Sequence, residues 1–161
     1  MKIKQCRIRL LHIPFMVAFK HSSKTRSDVE NVLVELELES GVIGYGEALP
    51  RDYVTGETIE SVKDGLLNKV FPAVTGMEFS ELKHAIEFLE NFETVIPGIE
   101  PRELCVKTAF ELALLDAAGK ELNIPVVDMF GGPKQETIQY SGIVSAENPV
   151  VVEQFLKQYK K

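Results

Sequence analysis

Residues 31–39, NVLVELELE, have an apolar side chain at every second position. The apolar positions are Val32, Val34, Leu36 and Leu38, and they alternate with glutamates at positions 35, 37 and 39. A period of two with one apolar face predicts a strand of an antiparallel sheet that is buried on one side only. A Ser40-Gly41 turn leads from it into a third strand, residues 42–49. Residues 2–13 predict the first strand, which ends at Pro14, so the three strands form a meander.

The pattern then changes to apolar side chains at helical spacing. Residues 59–70 predict a helix ended by Pro72, and residues 82–92 predict a second helix with Ser80 as its cap. Pro101 is predicted to open a longer helix that Asn123 and Pro125 end. Residues 106–118 of this helix are apolar nearly all round, which predicts burial on more than one side. Strands followed by helices indicate an α+β domain.

The last part of the chain has a different organisation. After a Gly131-Gly132-Pro133 turn, residues 137–145 predict a new strand, and an amphipathic helix follows Asn148-Pro149. One β-α unit cannot satisfy its own backbone or bury its own faces. It therefore either begins a longer fold or pairs with another chain. We place a first domain at residues 1–132 and a second at 133–161.

Composition narrows the function classes. The chain has 161 residues, of which 45% are hydrophobic and 26% charged, as in ordinary globular proteins. A net charge of −6 argues against a nucleic-acid or anionic-membrane binder, since both select basic surfaces. We see no secretory leader and no apolar run long enough to cross a bilayer. Cys6 and Cys105 form no CxxC pair, so we expect buried thiols, a cytoplasmic setting and no zinc site.

Several stretches together resemble a known family. Residues 109–132, AFELALLDAAGKELNIPVVDMFGG, are similar to the helix-to-barrel junction of the enolase superfamily, in its mandelate racemase and muconate-lactonizing branch. Residues 32–50 resemble the second and third strands of that family's N-terminal capping domain. TRSDVENVLV and PRDYVTGET look most like members related to muconate or chloromuconate cycloisomerases and dipeptide epimerases. The resemblance covers the whole chain and is specific for the family rather than for the substrate.

The resemblance implies a capping domain followed by a (β/α) barrel. It also implies an isomerase or cycloisomerase chemistry, in which a lysine removes a proton next to a carboxylate and Mg²⁺ holds the enolate. The family's catalytic groups stand on later barrel strands. Lys157, Lys160 and Lys161 do not match them, because they lie on the helix after the first strand. We therefore expect this chain to contain only the first β-α unit of the barrel, to bind no Mg²⁺ and to be inactive alone, with no catalytic or metal residue of its own.

Two loops are the candidate substrate-binding segments, because the resemblance implies that the cap closes the barrel mouth with them. The first is FKHSSKTRSD, residues 19–28, and the second is LPRDYVTGET, residues 49–58. Cations suit a small carboxylate substrate, since Arg holds a carboxylate with two hydrogen bonds. The candidate residues are Phe19, His21, Lys24, Arg26, Arg51 and Tyr53. The alternatives are a solvated first loop, core packing for Phe19, and an ion pair of Arg51 with Asp52 or Glu57; we interpret Glu47 as structural.

The sequence is compatible with three hypotheses about the whole chain. It forms the cap of an enzyme, or a stand-alone binding module without catalysis, or a cap supplied in trans to a barrel on a separate chain. The apolar positions of residues 137–156 also predict a homo-oligomer formed through that segment, since an uncovered strand edge recruits another chain.

Overall fold

A computed structural model describes residues 1–21, 24–140, 152–153 and 156–157, with side chains described outside residues 17–26. The chain divides into two compact units, Met1–Phe130 and Gly131–Lys161. The first unit contains a three-stranded antiparallel sheet in the order β1-β2-β3. Its strands are β1 (Ile3–His21), β2 (Lys24–Leu38) and β3 (Ile43–Ala48). The predicted α+β class and the meander are confirmed.

The alternation in β2 produces one buried and one charged face. Val32, Val34 and Leu36 are fully buried, and Leu38 is almost so. The opposite face carries carboxylates that bind cations of β1: Arg9 Nε lies 2.6 Å from Glu35, and Lys4 Nζ lies 2.7 Å from Glu37. These cross-strand ion pairs lie on the face of the sheet opposite the buried one.

Helices cover the buried face. They are α1 (Ile59–Asp64), α2 (Phe71–Val74), α3 (Leu82–Glu90), α4 (Phe92–Val95), α5 (Leu104–Leu122) and α6 (Val126–Met129). A π-helical turn, Gly65–Val70, joins α1 to α2 without a break. The prediction that Pro72 ends this helix is wrong. The Phe71 N–H bonds to the carbonyl of Leu66, five residues back, and this wider turn accommodates a proline that has no N–H to donate.

Two other predicted helix starts also differ from the structure. Ser80 does not cap α3: its hydroxyl lies 2.9 Å from His84 Nδ1, and the next residue, Glu81, stands at the N-cap. Pro101 lies in a turn before α5, which begins only at Leu104. The predicted end of α5 is confirmed, since Asn123 adopts a left-handed conformation with φ of 53°.

Helix α5 is the central element of the core. Ala109, Phe110 and Ala113 are fully buried, as predicted for a helix that is apolar nearly all round. The helix lies directly on β3, where Gly44 and Gly46 face the backbone of α5 at Ala109, Ala113 and Ala117. Side chains at these two positions would overlap the helix, so the glycines set the close strand–helix distance.

The second unit agrees only in part with the predicted β-α unit. Residues 137–140 are not in a strand, and residues 141–145 of the predicted strand lie outside the described residues. A strand requires a hydrogen-bonded neighbour, and the described residues supply none to 137–140. Residues 152–153 and 156–157 are helical, as the predicted terminal helix requires. Ile138 and Tyr140 are exposed.

Candidate functional site

The first candidate segment is a β-hairpin rather than a loop. Strand β1 continues past Pro14 to His21, and β2 starts at Lys24, so most of residues 19–28 pair across the ladder. The prediction of a loop is therefore wrong. Pro14 does not end β1, because β1 is an edge strand. Half of the N–H groups of an edge strand point away from the neighbouring strand, so a proline at such a position removes no hydrogen bond of the sheet. The ladder changes register between Pro14 and Phe19, which accommodates extra residues of β1.

The register of this hairpin groups four of the candidate positions. Phe19 stands opposite Arg26, and His21 stands opposite Lys24. Directly paired positions share a face, and so do positions two apart along a strand. The ladder thus assigns Phe19, His21, Lys24 and Arg26 to one face of the hairpin, and Lys20 and Thr25 to the other.

The second candidate segment is a compact turn between β3 and α1. The N–H groups of Val54 and Thr55 both bond to the carbonyl of Arg51 at 2.9 Å, and the Gly56 N–H bonds to that of Asp52 at 3.1 Å. Gly56 has φ of 78°, a conformation that favours glycine. The following Thr58 caps α1 reciprocally with Ser61. Residues 51–56, which we call the lid turn, therefore fold on themselves between two regular elements.

Arg51 and Tyr53 lie together on the lid turn. Arg51 Nη1 is 3.3 Å from Tyr53 Oη, and Tyr53 is more than half exposed. Arg51 Nε is buried, and no residue in the described part of the chain accepts a hydrogen bond from it. The alternative partners predicted for Arg51 are used differently: Asp52 accepts the Tyr53 N–H at 2.8 Å, and Glu57 binds elsewhere. The pair thus presents a guanidinium and a phenol at an exposed turn.

A shallow pocket of about 300 Å³ lies where the two candidate segments meet the sheet. It is lined by Ser27, Asp28, Val29, Glu30, Leu49, Pro50 and Ile59. Two of these residues, Asp28 and Glu30, carry carboxylates. His12 Nε2 lies 3.9 Å from Asp28 Oδ2, and His12 Nδ1 lies 3.8 Å from Glu30 Oε1. Sequence reasoning sought only cations here and missed this acidic pair, although both residues lie within three positions of the alternating run of β2.

Sequence reasoning also missed Glu57, which is buried with only 6% of its surface exposed. Both of its carboxylate oxygens lie 3.0 Å from the backbone nitrogen of Cys105, in the first turn of α5. Burial raises the pKa of the Cys105 thiol to about 11, with a further contribution from the neighbouring Glu57. Thr55 Oγ1 lies 4.0 Å from Cys105 Sγ, so Thr55 of the lid turn and the adjoining Glu57 both contact Cys105 of α5.

The remaining candidates are structural. The side-chain amide of Asn31 donates to the carboxylate of Glu47, so Glu47 joins two neighbouring strands. Burial raises the pKa of the Cys6 thiol to about 12, which agrees with a thiol that acts as a small hydrophobe.

The described residues do not fit a magnesium site. In the described ranges, no three His, Cys, Asp or Glu side chains come together in a group that could hold a metal ion. The family resemblance assigns the catalytic groups to later barrel strands, so we derive no step through the metal here. A search of the same residues finds no helix with the length and apolarity needed to span a bilayer.

Comparison with known proteins gives one family. Residues 5–131 match the family described as mandelate racemase / muconate lactonizing enzyme, N-terminal domain. Among curated relatives, the chain is 30% identical over 149 residues to the N-succinyl-L-Arg/Lys racemase of Bacillus cereus, covering 92% of this chain and 38% of that enzyme.

Two solved structures extend the likeness to the fold. The crystal structure of N-succinyl Arg/Lys racemase from Bacillus cereus matches with a TM-score of 0.81 and 28% identity, over 99% of this chain and 42% of that one. A dipeptide epimerase from Cytophaga hutchinsonii, complexed with Mg and the dipeptide D-Ala-L-Val, matches with a TM-score of 0.74 and 26% identity, over 99% and 41%. The chain thus spans about two fifths of the length of these relatives.

Proposed function

Because this chain belongs to the mandelate racemase / muconate lactonizing enzyme family of the enolase superfamily, we propose that it is the capping and substrate-specificity domain of a Mg²⁺-dependent racemase or epimerase. The observation that carries the proposal is the match of 99% of the chain to the N-succinyl Arg/Lys racemase structure, at a TM-score of 0.81. The similarity to dipeptide epimerases favours epimerisation over the cycloisomerase alternative.

The proposed substrate class is an α-amino acid with a free carboxylate and an acylated amino group. An N-succinyl amino acid and a dipeptide, which are named for the two relatives, have this unit in common. In such a molecule the reacting proton lies next to the carboxylate, and the acyl group extends away from it. A cap that closes over the substrate would select mainly the acyl group and the side chain, because these are the variable parts.

Six residues are proposed to contact the substrate. Phe19, His21, Lys24 and Arg26 lie on one face of the hairpin, so this face combines one aromatic position with three basic ones. Arg51 and Tyr53 present hydrogen-bond donors from the lid turn. Basic donors suit a carboxylate or a succinyl group, and a turn with a flexible glycine suits a lid that excludes water during enolate chemistry.

The metal and the base are assigned to the barrel that the family resemblance implies, rather than to the described residues of this chain. We therefore expect the 161-residue chain to be inactive alone and to bind no Mg²⁺. Residues 1–132 would form the cap and residues 133–161 the first strand and helix of the barrel. The boundary between the two compact units at Phe130 and the helical residues 152–153 and 156–157 support this division. We further propose a cytoplasmic homo-oligomer associated through residues 137–156.

A chimera tests the proposed function. This chain would replace the matching two fifths of the Bacillus cereus racemase, and exchange of the substrate α-proton would be measured in D₂O with Mg²⁺. We expect exchange with an N-acyl amino acid or a dipeptide, with a substrate preference different from that of the intact relative. The chain alone should give no exchange. A chimera that folds, by circular dichroism, and exchanges none of these substrates would contradict the proposal.

A further inference from the structure

Glu57 is a carboxylate in an unusual place. Asn31 and Glu57 are the buried polar or charged residues of the described part of the chain, and Glu57 is the one that carries a charge. Burying a carboxylate is costly unless hydrogen bonds compensate for the lost water. Residue 105 provides this compensation: its backbone nitrogen lies 3.0 Å from each carboxylate oxygen, and its thiol also hydrogen-bonds to Glu57.

Helix α5 needs this acceptor because its own N-cap residue is occupied elsewhere. Glu103 makes no side-chain cap bond to the helix. Its carboxylate instead binds Lys69 Nζ at 2.9 and 3.0 Å and the backbone N–H of Glu100 at 2.8 Å. The N–H groups of a first helical turn have no acceptor within the helix and carry partial positive charge. Glu57 satisfies one of them from a segment 48 residues away in sequence.

The same contact holds one end of the lid turn. Glu57 directly follows Gly56, and its N–H lies 3.4 Å from Thr55 Oγ1. The lid turn is closed internally by bonds to the carbonyls of Arg51 and Asp52. Its internal bonds let it move as a unit, and what fixes it to the core at this end is the Glu57–Cys105 contact, with Thr55 beside the Cys105 thiol.

We propose that Glu57 is a positioning residue, which latches the lid turn to the first turn of α5 and thereby sets where Arg51 and Tyr53 are presented. This inference deepens the proposed function and rests on it for the role of the lid. Glu57 itself need not touch substrate. Releasing the latch would free the turn at Gly56 while the sheet and the helices keep their packing.

The first experiment measures amide hydrogen exchange in the 161-residue chain carrying Glu57→Ala. We expect the Cys105 amide and the amides of residues 54–56 to exchange about tenfold faster or more, because one charged hydrogen-bond acceptor is lost there. The exchange rates of the β2 amides should stay unchanged. Glu60→Ala is the matched control, since Glu60 is exposed on α1 and pairs with Lys63 of the same helix. Unchanged exchange at residues 54–56, or equal acceleration throughout the chain, would overturn the proposal.

A second variant keeps the test decisive if Glu57→Ala folds poorly. In the native chain, Thr55 Oγ1 lies 4.0 Å from Cys105 Sγ, so Thr55→Cys places a second thiol beside Cys105. Oxidation would then join the two thiols in a disulfide bridge. In the bridged form, adding Glu57→Ala should change exchange of residues 54–56 by less than about twofold, and reduction should restore the full effect. Equal acceleration with the bridge in place would show that Glu57 does not act as a latch.

The functional readout uses the chimera with the relative's barrel. A loosened lid weakens substrate binding in the ground and transition states alike, so Glu57→Ala should raise KM about tenfold with kcat nearly unchanged. Glu57→Gln keeps an acceptor for the Cys105 N–H and should restore part of the loss.

Amide exchange requires no substrate, so it tests the latch even if the chimera is inactive, and an inactive chimera counts against the proposed function alone. A selective loss of kcat would count against the latch.

Discussion

The carboxylate of Asp116 accepts the backbone N–H of Tyr45, with 2.8 Å between Asp116 Oδ2 and the Tyr45 nitrogen. Tyr45 belongs to β3, an edge strand, so this N–H points away from the ladder. The same oxygen accepts Lys120 Nζ at 2.6 Å, and Lys120 also bonds to the carbonyl of Ile43 at 3.0 Å. One turn of α5 thus satisfies both kinds of backbone group on the open edge of β3, which limits pairing with other chains.

Removing the carboxylate of Asp116 should destabilise the chain. We expect Asp116→Ala to lower the free energy of unfolding by about 1–2 kcal/mol, the value of hydrogen bonds to a charged group reduced for partial exposure. Asp116→Asn keeps an acceptor for Tyr45 but loses the charge facing Lys120, so it should cost about half as much. Urea unfolding measures both variants. An Asp116→Ala chain as stable as the native one would contradict this assignment.

Gly44 allows α5 to approach β3, and Gly44→Ala should cost about 3 kcal/mol, because overpacking a core forces backbone shifts. The nearest groups to an added Cβ are the Ala113 carbonyl and the Ala117 nitrogen, with the Ala117 side chain next at 2.7 Å. Since two of these three atoms are backbone, the double variant Gly44→Ala/Ala117→Gly should recover little. Thermal unfolding compares the two variants. Full recovery in the double variant would show that side-chain crowding alone sets the limit.

Acid should weaken the charged face of the sheet. The hydrogen bond from Lys4, followed by that from Gln5, holds the pKa of Glu37 below its usual 4.5, and Arg9 lowers the pKa of Glu35. A lowered folded-state pKa gives stability that is complete above the unfolded pKa and is lost as pH falls through the folded one. The melting temperature should therefore fall with pH below about 4.5. Lys4→Met should flatten that slope, and an unaltered slope would contradict the assignment.

The sequence predicts the sheet better than it predicts the helix boundaries. The prediction of strand β2 is correct because a strand geometry buries every second residue, and Val34 and its apolar neighbours stand at every second position. The errors at Pro14 and Pro72 have one cause. Proline was interpreted as a terminator, but an edge strand and a π-helical turn each leave its missing N–H without consequence. Pro101, interpreted as the first residue of α5, instead lies in the turn before that helix.

The candidate site is less predictable, because it depends on contacts between distant residues. The pairing of Phe19 with Arg26 follows from a register change that no local pattern specifies. Glu57 reaches Cys105 only after the lid turn and α5 have both formed. In sequence, Glu57 is one of several acidic residues near the start of α1, and its burial depends on the acceptor that α5 lacks.

Both thiols should react slowly while the chain is folded. The pKa is about 12 for Cys6 and about 11 for Cys105, so little thiolate, the reactive form, exists near pH 8. We expect a disulfide reagent such as dithionitrobenzoate to label both residues rapidly only in denaturant. Glu57→Gln should speed labelling at Cys105 and not at Cys6, because only Cys105 lies beside that carboxylate. Rapid labelling of the native chain would contradict the raised pKa values of these thiols.

We expect the chain to associate through residues 137–156. Ile138 and Tyr140 are 68% and 88% exposed, and Leu156 is 49% exposed, so three large apolar side chains face solvent in the described part of this unit. Burying each contributes about 1.5–3 kcal/mol, which together favours association over exposure despite the cost of docking. We expect sedimentation at micromolar concentration to show a homo-oligomer, most simply a two-fold dimer.

A chain cut after Gly132 retains the compact unit Met1–Phe130 and should be monomeric. Ile138→Ser/Tyr140→Ser in the full chain should weaken association without changing the melting temperature of that unit. A monomeric full chain, or equal association of the cut chain, would rule out this interface.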